Sequence, residues 1–204
     1  DSGYSVLVDT TAPTIESVSF ASSNTSSDPD LDNTLLAMAD DTLTLSFTTD
    51  ERVEDVEVMI NGSSYSADDA GDGTSWTVDH VVASGGDAEE VEFEITSFSD
   101  PSGNALVSSE THTSDDSGYS VLVDTTAPTI ESVSFASSNT SSDPDHPSSH
   151  LAMADDTLTL SFTTDERVED VEVMINGSSY SATDTGSGMS WEVAHTVASG
   201  GDAE

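Results

Sequence analysis

Carboxylates are the side chains of this sequence best suited to chemistry, because calcium selects oxygen ligands held in flexible loops. Three acidic segments precede or follow apolar runs: Asp9, the run 50–55 and the run 100–104. If strands alternate in direction, their connections sort to the two ends of a domain, and these three segments should meet at one end. The candidate calcium ligands at that end are Asp9, Asp50, Glu51, Glu54 and Asp100.

A second group of acids should form where one domain meets the next. Carboxylates crowded at such a joint either repel one another or bind a hard cation. The sequence therefore predicts calcium at the junction; the alternative is that these acids only face solvent, as most surface Asp and Glu do. The residues expected there are Asp87, Glu89, Glu90, Asp124, Asp165, Glu166 and Glu169.

A third candidate lies in the segment DPDLDN at 28–33. Its acids Asp28, Asp30 and Asp32 alternate as they do at the start of a calcium-binding loop. The glycine and the distal glutamate of such loops are missing, and the equivalent segment 143–148 reads DPDHPS, which loses the third acid. The competing interpretation is an acidic surface loop.

Histidine and tryptophan offer weaker signals. His146 and His150 lie four residues apart and could ligate a transition metal. The first copy of the segment has leucine at both places, which favours a pair of loop histidines that bind no metal. His80 and Trp76 fall on the apolar side of an alternating run. We therefore expect His80 at the edge of a core, and Trp76 inside it rather than on a sugar-binding surface.

Enzyme motifs find no support. No serine lies in a Gly-x-Ser-x-Gly motif, and no glycine-rich phosphate loop is present. Pairs of carboxylates can be chosen anywhere in so acidic a chain, so they do not indicate glycoside chemistry. We expect a protein that is not an enzyme.

The charge restricts the partners. The 204 residues contain 41 acids and two basic residues, Arg52 and Arg167, for a formal net charge of −39. Self-repulsion at this density opposes compaction unless cations screen or bind it. Nucleic acid and anionic membranes both require a basic surface, so we expect neither as a partner. There is no cysteine and no run of 18 apolar residues, which excludes disulfides and argues against membrane insertion.

An internal repeat organises the chain. Residues 1–89 align without a gap with residues 116–204, an offset of 115 residues, and 12 pairs differ. Such fidelity predicts tandem domains. The differences comprise five at 31–35, two at 68 and 70, and five at 72, 74, 77, 79 and 81.

The repeat sets the expected domain boundaries. We expect residues 1–10 to be the last strand of a preceding repeat and residues 11–125 to be a complete repeat. Residues 126–204 would be a second repeat that stops before its last strands. The linker is expected at 125–128, where Pro128 fixes its own φ and stiffens the connection.

Apolar residues alternate with a period of two, which predicts antiparallel strands with one buried face. Around Trp76 the two copies differ at Thr77, Asp79 and Val81, all on the side assigned to solvent. Seven short strands in about 115 residues predict an all-β fold of tandem immunoglobulin-like antiparallel β-sandwiches. The predicted strands are 14–20, 41–48, 55–61, 63–67, 75–82, 91–98 and 118–124, with a further piece near 105–111.

Several motifs follow one another in a fixed order along the chain: VDTTAP leading into a strand, DTLTLSFTTDERVEDVEVMING, a tryptophan-containing strand, VASGGDAEEVEFEI and SDPSGNA. This ordered set resembles the bacterial immunoglobulin-like repeats of very large cell-surface adhesins. The resemblance covers essentially the whole chain and implies an extracellular stalk of sandwiches, often rigidified by calcium. The chain departs from the family in its greater acidity, which indicates a marine or halophilic source, and in a longer loop at 24–40.

The sequence as a whole predicts a non-enzymatic stalk repeat of a surface adhesin, extracellular and on the cell surface, with Ca²⁺ at the junctions. Its partners would be neighbouring repeats of the same chain, with lateral copies or surface glycans as further candidates. Two alternatives stay open. A self-assembling surface-layer or filament subunit would show ordered assembly of isolated domains, and a polysaccharide-binding module would bind glycans through exposed aromatic residues.

Overall fold

The computed structural model describes residues 3, 5–26, 31–85, 89–109, 111–142, 144–145 and 149–200, with Glu89 described by its backbone alone. The chain divides into two compact units, Asp1–Thr126 and Ala127–Glu204, and this division falls within the segment expected to be a linker. Within the described ranges, no helix is long and apolar enough to cross a membrane.

Unit 1 is built from strands in three sheets. The sheet orders are β1-β3-β7-β6, β10-β9-β4-β5 and β2-β11-β8. Neighbouring strands are antiparallel, except that β2 and β11 are parallel. The strands are β1 (Ile15–Ser22), β2 (Thr34–Ala37), β3 (Thr42–Thr49), β4 (Glu54–Ile60), β5 (Ser63–Ser66), β6 (Asp68–Asp69), β7 (Ser75–Val81), β8 (Glu89–Glu90), β9 (Phe93–Ser99), β10 (Thr111–His112) and β11 (Ser120–Val123).

One hydrophobic core joins these sheets. In β3, the side chains of Leu43, Leu45 and Phe47 are at most 2% exposed, while the residues between them are half-buried. Strands β1, β3 and β7 supply one side of the core, and β2, β4, β9 and β11 supply the other. The predicted all-β class is therefore confirmed: unit 1 is a β-sandwich whose sheets are mainly antiparallel.

The assignment of strand faces is confirmed in β7. Trp76 is 7% exposed and packs in the core, whereas Thr77 and Val81 face solvent. His80 is half-buried at the core edge, and its Nδ1 contacts the hydroxyl of Tyr65 at 2.5 Å. These positions agree with the alternation, which places every second residue of a strand on the same face.

Three short strands lie in segments that the sequence pattern assigned to loops. Strand β2 pairs with β11, β6 pairs with β7, and β8 pairs with β11. Each is two to four residues long. A segment of this length is too short to display a clear period of two, so its strand conformation depends on the strand beside it.

Unit 2 repeats part of this plan. Its described strands form the sheets β12-β13-β17-β16 and β14-β15. Phe162 pairs with Trp191 across β13 and β17, as Phe47 pairs with Trp76 across β3 and β7. The strands are β12 (Ile130–Ser137), β13 (Thr157–Thr164), β14 (Glu172–Ile175), β15 (Ser178–Ser181), β16 (Thr183–Gly186) and β17 (Ser190–Thr196).

The expectation that residues 1–10 are the last strand of a preceding repeat stays a prediction. Residues 5–14 have no regular secondary structure, and Val6 and Val8 are 90% and 77% exposed. The identical segment at 120–123 forms β11, flanked by β2 and β8. A strand needs a neighbouring strand to receive its backbone hydrogen bonds, and within the described residues no strand pairs with 5–9.

Candidate metal site

Three carboxylates from separate parts of unit 1 lie together. Asp9, Glu51 and Asp100 each contribute one oxygen, and these oxygens lie within 4.8 Å of one another. Asp9 precedes β1, while Glu51 follows the end of β3 and Asp100 follows the end of β9. Asp100 is buried, at 2% exposure, and the other two are half-buried. The structure thus brings together one acid from each of the three segments expected at this end.

The turn after β9 fixes Asp100. Its Oδ1 accepts hydrogen bonds from the backbone N–H groups of Ser102 (2.8 Å) and Asn104 (2.7 Å). Its Oδ2 accepts one from the Asn104 side chain at 2.8 Å. Burial by itself would raise the pKa of Asp100, but the hydrogen bonds, those from Asn104 foremost, hold it below its usual value. The ionised form is therefore favoured at a fixed position.

Asn104 links this turn to the segment before β1. Besides Asp100, its Nδ2 donates to the backbone carbonyl of Asp9 at 3.3 Å. Asn104 belongs to the segment 100–104 expected at this end of the domain, but it was not among the predicted site residues. Its position within Asp-Pro-Ser-Gly-Asn, a sequence typical of turns, was the available signal.

Glu51 experiences the negative charge of the site. Its pKa is raised, first by burial and then by the charges of Asp9, Asp100 and Asp50. Its backbone is fixed by Thr49, whose Oγ1 donates to the Glu51 carbonyl at 2.7 Å. A cation at this point would oppose both causes, since it would replace lost hydration and neutralise the neighbouring carboxylates.

Asp50 has a structural role instead. Its Oδ1 accepts the backbone N–H of Thr14 at 2.7 Å, and this bond is the main reason that the pKa of Asp50 is lowered. In unit 2, Asp165 accepts both the N–H and the hydroxyl of Thr129 at 2.7 Å, and the hydroxyl bond contributes most to its lowered pKa. Both aspartates hold the entry to the first strand of their unit.

Two of the remaining candidates, Glu54 and Glu169, are exposed. Glu54 begins β4 opposite Ser99, and Glu169 is its counterpart in unit 2. Neither residue belongs to a cluster of three potential ligands in the described part of the chain. Glu166, the counterpart of Glu51, is half-buried in unit 2.

The structure describes only some of the acids that were predicted at the junction between repeats. Glu90 is in β8 opposite Leu122 of β11, and its Oε1 accepts the hydroxyl of Ser120 at 3.4 Å. Asp124 directly follows β11, and its Oδ1 accepts the N–H of Thr126 at 3.0 Å. Asp87 and the side chain of Glu89 lie outside the described residues. The predicted meeting with Asp165, Glu166 and Glu169 involves both units and stays a prediction.

The loop at 28–33 and the histidine pair cannot be assembled into sites. Asp28, Asp30 and His146 lie outside the described residues, while Asp32 and His150 are exposed. The proposed calcium loop and transition-metal pair thus stay predictions.

The fold and this carboxylate cluster define the class of molecule: an all-β sandwich with a candidate oxygen-ligand metal site beside its entry segment. Comparisons with protein family models, with curated proteins and with solved structures found no match to this chain. The particular role of the protein must therefore be argued from its own residues.

Proposed function

We propose that this chain is part of a non-enzymatic extracellular stalk of the bacterial adhesin type, in which immunoglobulin-like sandwiches act as spacers stiffened by calcium. The observation that carries the proposal is the origin of the three clustered acids. Asp9 comes from the segment that leads into the sandwich, whereas Glu51 and Asp100 come from the sandwich itself.

The chemistry of the cluster suits calcium. Its ligand atoms are all carboxylate oxygens, which are hard ligands, and they come from loops, which tolerate the flexible geometry that calcium accepts. The three carboxylates carry six oxygens, compared with the roughly six to eight that calcium takes. The raised pKa of Glu51 indicates that the uncompensated cluster is electrostatically unfavourable.

A spacer keeps its reach only if the segment that enters each domain is held. Here Asn104 holds the carbonyl of Asp9, Pro13 is fully buried, and the Asp9 side chain accepts the N–H of Thr11 at 3.0 Å. Calcium shared by Asp9, Glu51 and Asp100 would add a strong link at the same place. The entry segment would then move with the sandwich instead of swinging from it.

An extracellular location is part of the same proposal. Calcium-binding modules outside cells function with dissociation constants of about 10⁻⁴–10⁻³ M, which three ligands near the surface can reach. The net charge of −39 makes the folded chain repel itself, and a medium rich in cations would screen this repulsion. A marine or halophilic habitat provides such a medium. The polysaccharide-binding alternative has less support, because Trp76 and Trp191 are 7% and 8% exposed and pack in their cores.

The test is hydrogen–deuterium exchange of the entry segment, residues 5–14, measured on the full chain in calcium and in chelator. We expect calcium to slow exchange of the amides around Thr11, because the cluster then ties Asp9 to the two loops. Glu51→Gln should abolish this protection, while Glu54→Gln, an exposed neighbour outside the cluster, should retain it.

Sodium chloride at equal ionic strength is the control for screening. If sodium protects the segment as well as calcium does, screening alone explains the effect and the specific site is wrong. Equal protection in wild type and Glu51→Gln would also reject the cluster as the ligand set.

A further inference from the structure

A tyrosine and a histidine connect the two larger sheets of unit 1 at one edge of the sandwich. Tyr65 lies in β5, the last strand of the sheet β10-β9-β4-β5, and His80 lies in β7 of the sheet β1-β3-β7-β6. The Tyr65 hydroxyl and His80 Nδ1 are 2.5 Å apart, and the rings meet edge to face with centroids 5.7 Å apart. The bond thus joins two strands that share no backbone ladder.

This bond lies where the chain crosses from one sheet to the other. Ala67 separates β5 from β6, and β6 pairs with β7 so that Asp68 lies opposite Thr77. Continued in the same register, the ladder between β6 and β7 would place Tyr65 opposite His80. The backbone ladder ends at Asp68, and the bond between the two side chains takes its place.

Unit 2 contains the same arrangement. The Tyr180 hydroxyl lies 2.8 Å from His195 Nδ1, with ring centroids 5.3 Å apart. Thr183 lies opposite Glu192, so the same count of residues places Tyr180 opposite His195. The pair is therefore part of the local plan of the repeat, and it persists although the solvent-facing residues of the histidine strand differ between the copies.

The distance in unit 1 identifies the donor. A separation of 2.5 Å is within the range of hydroxyl donors, whereas N–H donors lie at about 2.7–3.2 Å. Tyr65 therefore donates, Nδ1 of His80 accepts, and the one proton of the neutral imidazole is on Nε2. Burial favours this neutral form and lowers the pKa of His80.

Acids lie on several of the elements around His80, but none is bonded to it in the described part of the chain. Leu43 of β3 lies directly opposite His80, and β5 contributes Tyr65 as its titratable group. The acids of the surrounding strands and of the turn at 38–41 are Asp40, Asp41, Glu57, Asp68, Asp69 and Asp79. Of these, Asp40 and Asp68 are exposed, and the others accept hydrogen bonds from groups other than His80.

We propose that Tyr65 and His80 form a proton-sensitive latch, which holds β5 against β7 near neutral pH and releases it in mild acid, and that Tyr180 and His195 do the same in unit 2. The incoming proton takes the Nδ1 lone pair that the hydroxyl uses, so the hydroxyl must turn its own proton away. A charge then lies at a half-buried position, which is costly. Once released, β5 is paired with β4 alone.

The direction of the pKa shift defines the pH window. Because the pKa of His80 is lowered in the closed form, the stability of the latch is complete above the ordinary histidine pKa of about 6.5 and is lost as the pH falls below it. At about pH 5.5 the open form should gain up to about tenfold over the closed form, compared with about pH 7.5. Calcium takes no part, so this inference is independent of the proposed function.

The experiment is amide hydrogen exchange of β5, Ser63–Ser66, in the full chain with chelator at these two pH values, with each rate divided by its intrinsic rate. Wild type should lose up to about tenfold of its protection in acid. His80→Asn keeps an acceptor near the position of Nδ1 but cannot titrate, so its protection should be independent of pH. Tyr65→Phe should have reduced protection already at about pH 7.5, because the bond is absent.

Two controls change groups outside the latch. Tyr119→Phe removes a hydroxyl that is bonded to no histidine among the described residues, and His112→Asn removes an exposed histidine; both should behave as wild type does. The imidazole ¹⁵N resonances of the wild type give a test that requires no variant, and at about pH 7.5 they should show Nδ1 of His80 without a proton. A protonated Nδ1, equal wild-type protection at the two pH values, an unchanged pH response in His80→Asn, or undiminished protection in Tyr65→Phe would overturn the proposal.

Discussion

The carboxylates of the turn between β6 and β7 illustrate how single acids stabilise this chain without a cation. Asp72 accepts the N–H groups of Thr74 and Ser75 through Oδ1, both at 2.8 Å, and the Ser75 hydroxyl through Oδ2 at 2.9 Å. These bonds, the one from the Thr74 backbone most of all, lower the pKa of Asp72 to about 2. The second copy has Ser187 at this position.

A pH dependence follows from that pKa. A carboxyl whose pKa falls from 3.8 to about 2 on folding contributes stability above about pH 4, and this stability is lost as the pH drops toward 2. Asp72→Asn should therefore lower the free energy of unfolding of unit 1 at pH 6 and approach the wild-type value at pH 2. Chemical denaturation across this range measures it. Glu16→Gln, an exposed change on β1, is the control, and a pH-independent difference between Asp72→Asn and wild type would contradict the argument.

The two arginines also act at the residue scale. A Cβ on Gly73, where φ is +72°, would lie 2.7 Å from the Cγ of Arg52, and Gly188 has the same relation to Arg167. Both basic side chains thus cover a glycine turn.

The sequence was sufficient to predict that the acidic segments around Asp9, 50–55 and 100–104 converge at one end of the unit. The sequence could not predict which of these acids lie in the cluster and which accept backbone hydrogen bonds instead. That depends on whether a backbone N–H, such as that of Thr14, reaches the carboxylate.

At the scale of strands, paired differences between the copies become meaningful. Thr77 of β7 lies opposite Asp68 of β6, and in unit 2 Glu192 lies opposite Thr183. Each pair therefore holds one acid and one threonine, with the acid on opposite strands. Like charges directly across a sheet are destabilising, so the two differences compensate each other.

A double-mutant cycle tests this compensation. Thr77→Glu alone should destabilise unit 1 by about 0.2–1 kcal/mol at low salt, because the introduced carboxylate would face Asp68. Adding Asp68→Thr should remove most of that cost, and the coupling should fade at high salt. Thermal unfolding followed by circular dichroism measures each variant. Additive effects of the two substitutions would mean that the pair does not interact.

The buried face of the same strand provides a larger effect. Trp76, 7% exposed and opposite Phe47, should cost about 3–5 kcal/mol when replaced by alanine, as other large buried aromatics do. Denaturant unfolding monitored by circular dichroism gives the value. If Trp76→Ala lowered the free energy of unfolding no more than Thr77→Glu does, the assignment of the buried and exposed faces of β7 would be wrong.

The strands were predicted correctly where apolar and polar residues alternate over a long run. They were missed where the strand forms only because a neighbouring strand pairs with it. The run around Leu43, Leu45 and Phe47 defines its own buried face and was located to within about a residue. Strand β9 contains a bulge, so that both Ile95 and Phe98 are buried. The bulge interrupts the period of two, and the sequence of β9 therefore shows no regular alternation there. The identical segments at 5–9 and 120–124 are the clearest limit, since only their surroundings differ.

For the whole molecule, the large negative charge opposes the folded state. With −39 formal charges and a pI near 4.1, the folded chain repels itself at neutral pH. Any salt relieves this through screening, whereas a folded-state calcium site adds a saturable term. The two contributions can be separated because only the second needs the cluster of Asp9, Glu51 and Asp100.

Calorimetry of the full chain provides that separation. Calcium at 100 times its dissociation constant should stabilise unit 1 by about 2.7 kcal/mol beyond sodium chloride of equal ionic strength. Glu51→Gln should lose this excess and retain the response to sodium. Full recovery of wild-type stability by sodium chloride in chelator would leave screening as the sufficient explanation.

The parallel pairing of β2 with β11 has a mechanical consequence. Tension that arrives at the start of β2 and leaves through Asp124 pulls at opposite ends of two parallel strands. The pairs from Ser120 opposite Thr34 to Val123 opposite Ala37 are then loaded in shear, so they resist together instead of opening one after another. The hydrogen bond from Asp124 to Ala37 ends this ladder at the point of load. A ladder loaded in shear stretches little before its hydrogen bonds break together, unlike a hairpin that is opened from one end.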